Sequence, residues 1–581
     1  MQTATVNTAF LDQVAGAADR HVAAFLATHD GDVPALAHRP AMARLLDLVT
    51  VYTQPGSAFL GAERAGAAMA ACLDRLEALQ GPTGLFDGTN LCSPPDSAFT
   101  LNDVCLALRL IRGMAVPGRL LQRVDVRLAG IVARSVDAMV AGGVHTPNHR
   151  WELCAALAQI NVLQPRPDIP ARIAQWLAEG IDQLPDGMYS ERSPLYATAV
   201  TNPSLLAIAD CADHPELLDH VRRNLTAFLP WFNGEGTVES LFSRRQDQWM
   251  AFDAAPFLHS YLRLAAQDAR LDFAAAAAWL AGLPLHEPAK LLALARVDPW
   301  LAAACPAVPS AAGEQALAGG QPLPPALAPG EAALESCGVY RFRSGGSVAT
   351  VFGGCDPLVP GVGSGLATNP TFLRFGHGAA LLSDVRLSRS FFDLGPFRSQ
   401  RTVRQGNSVV LSEEVEANFY QPLPPDKVRA DGIYALEHEG RFSAGMEFSA
   451  RPADVHRLAT EISVHCEGPQ ARIDIGFEGT RTAFALELTF RPGGVLDGVE
   501  PAGAPGTFQL VAGTGTYRVG RDVIEFGPGL AADPDAPAGY NPGESYRYLG
   551  GTNAAFGIKV YVTGWTNGSS RFTCRGYTLP A

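Results

Sequence analysis

The chain has 581 residues, 47% of them apolar and 18% charged, which allows more than one large core and excludes a disordered polymer. A net charge of −13 argues against nucleic acid as a partner, because phosphate is bound through basic surfaces. An anionic sugar stays open, since a local arginine cluster outweighs a global field, and with only Lys290, Lys427 and Lys559 as lysines nearly every cation is an arginine.

The first residues, MQTATVNTAFLDQVAGAADRH, carry no basic segment followed by an apolar one, and no apolar run reaches the ~18 residues of a membrane span. The ten cysteines are scattered from Cys72 to Cys574 without a Cys-x-x-Cys pair. Together these features predict reduced thiols in a cytoplasmic protein, with neither a disulfide framework nor a zinc ribbon.

From residue 5 to about 304 the apolar spacing is helical, as in Leu101-Asn-Asp-Val104-Cys105-Leu-Ala-Leu108. Breaks rich in Pro, Gly, Asn and Asp near 31, 54, 81, 116, 146, 185 and 232 separate ten to twelve predicted helices. Sequential antiparallel pairs of that number close into an α/α toroid, expected over residues 1–304. Residues 305–335 are rich in Pro, Ala and Gly without periodicity and read as a linker. From 336 to 581 the period becomes two: Gly338–Arg343, Ser347–Phe352, Arg472–Phe477, Ala483–Phe490, Gly557–Thr563 and Ser570–Arg575 predict an antiparallel β-sandwich. The expected fold class is therefore multidomain, an all-α half followed by an all-β half.

Two segments carry residues suited to proton transfer. In Thr146-Pro-Asn148-His149-Arg-Trp-Glu152, a helix starts with Asn148 at the N-cap, and His149 and Glu152, three apart, share a face. Read structurally, Asn148 caps and the other two are a solvated pair. In Glu191-Arg192-Ser193-Pro194-Leu195-Tyr196, Ser193 caps and proline takes the first helical position; the structural reading pairs Glu191 with Arg192. Both segments place polar groups at helix N-termini, where the dipole favours an anion. Asn, His and Tyr are the types needed to eliminate across a uronic acid: a donor for the charge that grows on the carboxylate, a base for the C5 proton, and an acid for the departing oxygen.

On these residues the chain resembles the heparinase II/III-like superfamily of polysaccharide lyases, whose architecture is an α/α toroid followed by an antiparallel β-sandwich. Asn148-His149 is similar to the family's Asn-His pair, with Glu152 where some members have a glutamate. Glu191–Tyr196 resembles its acidic-Gly-Ser-x-x-Tyr element with Arg192 in place of glycine. The resemblance implies Asn148, His149 and Tyr196, rather than Tyr189, as catalytic residues. It also implies a His-x-His motif from the sandwich, which in some members helps hold a zinc. The corresponding stretch, Gly363–Gly378, has no such pair; it offers Asn369, Arg374 and His377, so no metal site and no cofactor are expected.

Other candidates for sugar contact are Asp96, in the proline-stiffened loop Asn90–Phe99, and Arg244, Arg245, Asp247 and Trp249 in Phe242–Trp249. Arginine suits a carboxylate or sulfate, and an indole suits a ring face. Glu152, Glu191 and Arg192 complete the substrate-binding set. The leading expectation is a lyase on an acidic, uronate-containing glycan, exo-acting on imported oligosaccharide. The alternatives are a glycoside hydrolase drawing on Asp96, Glu152, Glu191 and Asp247, or a glycan-binding protein without catalysis.

Overall fold

Segments with one apolar stripe and segments apolar on all sides fold differently, and the helical half uses both. A computed structural model of the chain describes residues 8–88, 91–249, 252–303, 328–356, 369–438, 445–543 and 555–580. Of the expected linker, 305–327 lies outside them, as do Asn90, residues 363–368 and the Trp249 side chain. Its last residues are not linker, since Gly330–Leu334 pairs with the strand Val339–Ser344 and so joins the sandwich.

The α-helices are α1 (Thr8–Asp32), α2 (His38–Thr53), α3 (Glu63–Leu79), α4 (Pro94–Arg112), α5 (Arg119–Ala141), α6 (His149–Leu163), α7 (Asp168–Leu177), α8 (Pro194–Tyr196), α9 (Asn202–Cys211), α10 (Leu217–Phe228), α11 (Leu258–Asp268), α12 (Leu271–Ala281), α13 (Pro288–Val297) and α14 (Pro299–Ala303). Among the described residues twelve of them have ten residues or more, in line with the periodicity. α5 buries the stripe Leu121, Val124, Leu128, Ile131, Val132, Val136 and Met139 and turns its charges outward, as a surface helix must. α6 instead buries every residue from Trp151 to Ile160, so it lies inside the bundle.

Packing follows from that difference. α2, α4, α6 and α9 lie side by side, each backed by its sequence neighbour, α3, α5, α7 and α10 respectively. α11 packs on α12 and α14, and α13 returns to α14, α1, α2 and α4, which closes the ring of a toroid. The closure is held by polar contacts as well: Lys290 of α13 pairs with Asp103 of α4 at 2.9 Å, and Arg296 donates to Thr53 of α2 at 2.8 Å. Before Ala303 the strands among the described residues are two short ladders, β1 (Asp87–Gly88) with β2 (Leu91–Cys92), and β3 (Thr237–Val238) with β4 (Phe252–Asp253).

The second half is two sheets. One orders its strands β16 (Glu500–Pro501), β17 (Thr507–Gln509), β20 (Ile558–Trp565), β14 (Ala483–Phe490), β9 (Ala380–Arg389), β8 (Leu373–His377), β7 (Ser347–Phe352), β6 (Val339–Ser344), β5 (Gly330–Leu334). The other runs β10 (Arg401–Gln405), β11 (Ser408–Tyr420), β12 (Ala453–Glu467), β13 (Gln470–Gly479), β21 (Gly568–Thr578), β19 (Asp522–Gly527), β18 (Gly515–Val519), β15 (Val495–Asp497). All pairings are antiparallel except β17 with β20. Alternate residues of both sheets meet in one core: Val385, Leu387, Leu486, Leu488, Val560 and Val562 from the first, Ile462, Val464, Ile473, Ile475 and Phe572 from the second. The β6–β7 hairpin turns at Gly345-Gly346, both with positive φ (57° and 82°), the conformation that matches strand twist and that glycine adopts without strain.

Two compact units result, and their borders do not follow the chain simply. Glu191–Ser193 and Ser240–Ala251, which lie in the helical half of the sequence, belong to the unit of the sandwich.

Candidate functional site

In the helical unit the first turn of α6 is buried. Asn148 is 2% exposed and His149 7%. Asn148 stands at the cap position but does not act as the expected cap: its own backbone is helical (φ −69°, ψ −20°) and its side chain makes no capping bond. The reason is geometric, since a capping side chain needs an extended residue to reach back to the free amides. The Asn148 carbonyl accepts from the Trp151 and Glu152 amides instead.

The expected solvated His149–Glu152 pair is not formed either. Glu152 points into the junction of three helices, where Asn102 of α4 donates to Oε1 at 2.6 Å and Ser204 of α9 donates to Oε2 at 2.9 Å. Gln159, two turns along α6, donates to the Asn102 carbonyl oxygen at 2.7 Å. Burial pushes the Glu152 carboxyl up to about 7, against these donors, which favour the charged form. His149 lies between aromatic edges, 5.9 Å from the Phe99 ring and 4.9 Å from the His145 ring, both perpendicular to it.

The approach to Tyr196 is tied to the same turn. Asp182 accepts from the Trp151 indole at 3.3 Å and from the Arg150 guanidinium at 3.3 Å, while its other oxygen accepts the Ser190 hydroxyl at 2.5 Å. Tyr196 ends α8 and is half-buried; a π-helical turn, Ala197–Thr201, follows it and packs on α6. Such wide turns inside a helix are frequent at functional sites. Tyr189 differs: it is 5% exposed, its hydroxyl donates to Asn202 at 2.7 Å, and burial raises its pKa well above the usual phenol value.

A second cluster joins α2 and α4. Ser93 caps α4, accepting from the Asp96 amide at 3.3 Å, with proline at the first helical position. The Asp96 carboxylate is buried and ion-paired with Arg39, and His38 lies 3.7 Å from it while bonding Thr100 at 2.7 Å. Burial alone raises the Asp96 carboxyl; the nearby His38 and the Arg39 guanidinium outweigh it and hold the group below its ordinary value. The Arg39 guanidinium stacks 3.8 Å from the centre of the Phe99 ring. His38, Arg39, Asn102, His145 and Asp182 carry no motif spacing in the sequence; Arg39 and Asp96 are 57 positions apart and meet only through helix packing.

A third cluster lies in the sandwich unit. Glu191 pairs with Arg245 at 2.8 Å. Arg192 adopts a left-handed backbone (φ 54°) and is buried, its guanidinium donating to the carbonyls of Gly354 at 2.7 Å and Ser336 at 3.2 Å. Those two carbonyl bonds offset the strain that a side chain meets in this conformation. Arg244 pairs with Asp356 at 2.6 Å. Asp247 is buried and receives two serine hydroxyls, Ser193 at 2.7 Å and Ser243 at 2.5 Å.

The remaining candidates also lie in the sandwich unit. Asn369 accepts the Thr371 amide at 3.0 Å and donates to the Leu241 carbonyl at 3.5 Å. Arg374 donates to the Ser383 carbonyl within the sheet at 3.0 Å. His377 is 5% exposed, one ring nitrogen bonded to Ser347 at 2.8 Å and the other to Thr578 at 3.0 Å, and burial lowers its pKa.

No protein-family model matches the chain, and no curated protein sequence matches it. Solved structures do. A heparinase III structure is similar over 92% of this chain and 76% of its own, with a TM-score of 0.52 at 9% identity. A heparan sulfate lyase from Pedobacter heparinus is 12% identical over 92% of this chain and 76% of its own, with a TM-score of 0.45. A chondroitin AC lyase from Streptomyces coelicolor A3, solved with chondroitin sulphate, is 14% identical over 99% of this chain and 80% of its own, with a TM-score of 0.47. The heparinase III match shows that the chain has the fold of that polysaccharide lyase, an α/α toroid and an antiparallel β-sandwich.

Proposed function

We propose that the protein is a lyase that cleaves a uronate-containing polysaccharide or oligosaccharide by β-elimination. The observation that carries this reading is the tie through Asp182, which fastens Ser190, six residues before Tyr196, onto the first turn of the helix bearing Asn148 and His149. The heparinase III fold supports it, as does the contrast between the half-buried Tyr196 and the buried Tyr189, whose hydroxyl donates to Asn202.

In this mechanism the Asn148 amide donates to the uronate carboxylate and stabilises the charge that spreads onto it when the C5 proton leaves. His149 or Tyr196 accepts that proton, and Tyr196 donates a proton to the glycosidic oxygen as the C4–O bond breaks. The electron pair of the C5–H bond becomes the C4–C5 double bond, so no water is consumed. Hydrolysis instead needs two carboxylates free to face the bond. Asp96 is paired with Arg39, Glu152 accepts from Asn102 and Ser204, Glu191 is paired with Arg245, and Asp247 accepts from two serines, which favours elimination over hydrolysis.

The test is incubation with a panel of uronate glycans while ultraviolet absorbance is followed. Growth of the absorbance of an unsaturated uronate supports the proposal, and release of single unsaturated sugars from one end identifies exo action. New reducing ends without absorbance would identify a hydrolase.

A further inference from the structure

Arg39 stands out in the helical unit because its surroundings hold it while its side chain remains 40% exposed. Its partner Asp96 is 1% exposed, so the carboxylate is an anchor inside the bundle and the cation is its outward face. Phe99 fixes the guanidinium from the side, with the cation 3.8 Å from the ring centre. Only one nitrogen, Nη2, makes the Asp96 bond, and a guanidinium has five donors in a planar fork. An arginine pre-set in this way loses little rotamer freedom when an anion arrives.

The position relative to the proposed chemistry follows from the same ring. Phe99 touches Arg39 on its face and His149 at 5.9 Å between ring centres, so the guanidinium lies no further from the imidazole than those two spacings combined. That places the cation near the proposed reaction centre, yet on a different helix, α2. It is suited to the next sugar of a chain rather than to the one losing its proton. We infer that Arg39 forms an anion subsite that recognises a carboxylate or sulfate on the sugar adjacent to the cleaved uronate. The inference rests on the lyase reading, which it deepens by naming the substrate class: an acidic glycan whose neighbouring sugar also carries a negative group.

Three glycans separate the sources of that charge. In hyaluronan the neighbour of each uronate is a neutral hexosamine, in chondroitin sulfate it is a sulfated hexosamine, and in polymannuronate it is a second uronate. The variants are Arg39→Gln, which retains a donor for Asp96, and Arg39→Lys, which retains the charge but loses the planar fork. Arg39→Gln raises KM roughly tenfold or more, with a larger effect on KM than on kcat, on the glycan whose neighbour is charged; Arg39→Lys falls between it and the wild type. A response with chondroitin sulfate identifies sulfate, and one with polymannuronate identifies carboxylate. An equal change on hyaluronan, or no change on any glycan, overturns the subsite.

Unfolding midpoints of the variants show whether they are folded. If the wild type produces no absorbance with any of the three, the lyase reading fails, and calorimetric binding of the same glycans then decides the subsite. Affinity for the charged-neighbour glycan lost in Arg39→Gln upholds it; unchanged affinity, or no binding by the wild type, overturns it.

Discussion

Asp182 holds Trp151 on one carboxylate oxygen and Ser190 on the other, at 3.3 and 2.5 Å, so one side chain joins two segments that the sequence keeps about forty residues apart. Its removal leaves an indole N–H and a hydroxyl to find other partners and frees the segment that leads to Tyr196. Asp182→Ala is expected to lower the unfolding free energy by about 1–3 kcal/mol and to lower kcat more than it changes KM. Asp182→Asn, which still accepts the indole N–H, should recover part of both. Steady-state kinetics beside denaturant unfolding check this; an Asp182→Ala enzyme with wild-type kcat removes the tie from the mechanism.

Tyr196→Phe retains the ring and its packing and loses only the transferable proton. Turnover on a cleaved glycan should drop by roughly 100-fold or more while binding is nearly unchanged. Asn148→Ala should also depress turnover, because the developing carboxylate charge loses a donor. Its stability should stay near wild type so far as capping is concerned, since the Asn148 side chain makes no cap bond. Unchanged turnover in Tyr196→Phe shifts weight to Glu152, Glu191 and Asp247 and to hydrolysis.

Glu152 makes stability depend on pH with a definite sign. Its carboxyl is raised from 4.5 to about 7 in the folded chain, so the native state holds the proton more tightly than the unfolded one. This contribution is fully present below the unfolded value and is lost as pH rises through about 7, a span of roughly 3 kcal/mol. Glu152→Gln cannot ionise. The difference in unfolding free energy between wild type and variant should therefore shift against the wild type from pH 4.5 to pH 7.5. A pH-independent difference would show that Glu152 titrates normally.

The sandwich holds its own buried charge. Arg386 and Glu487 face each other across β9 and β14, at 3% and 0% side-chain exposure, and Tyr561 of β20, in register with Glu487, donates to it at 2.8 Å. Glu487→Ala leaves an arginine buried without its counter-ion and should lower stability by about 3–5 kcal/mol. Replacing Arg386 and Glu487 together by leucine should cost much less, because the buried guanidinium leaves with its carboxylate, and Lys559, the other cation on Glu487 at 3.9 Å, is 30% exposed and reaches water. Thermal unfolding of the three proteins distinguishes the cases.

The two halves of the fold were legible because their evidence is local. Leu101, Val104, Cys105 and Leu108 are all buried on α4, and Ile473 and Ile475 alternate into the sandwich core, as periods of 3.6 and two require. Neighbours along the chain report the face of an element, and the turn residues report its ends. The partner of each polar side chain is different information. Nothing near position 152 announces Asn102 and Ser204, and nothing near Arg192 announces the carbonyls that hold it in a left-handed turn. Helix packing brings together residues about fifty positions apart, and burial then decides which groups must find a hydrogen bond because water cannot supply one. The sequence by itself determined which segments are helix and strand and which side chains could move a proton; only the tertiary structure decided that Asn148 does not cap, that Glu152 is a buried acid, and that Arg39 stands beside Phe99 and His149.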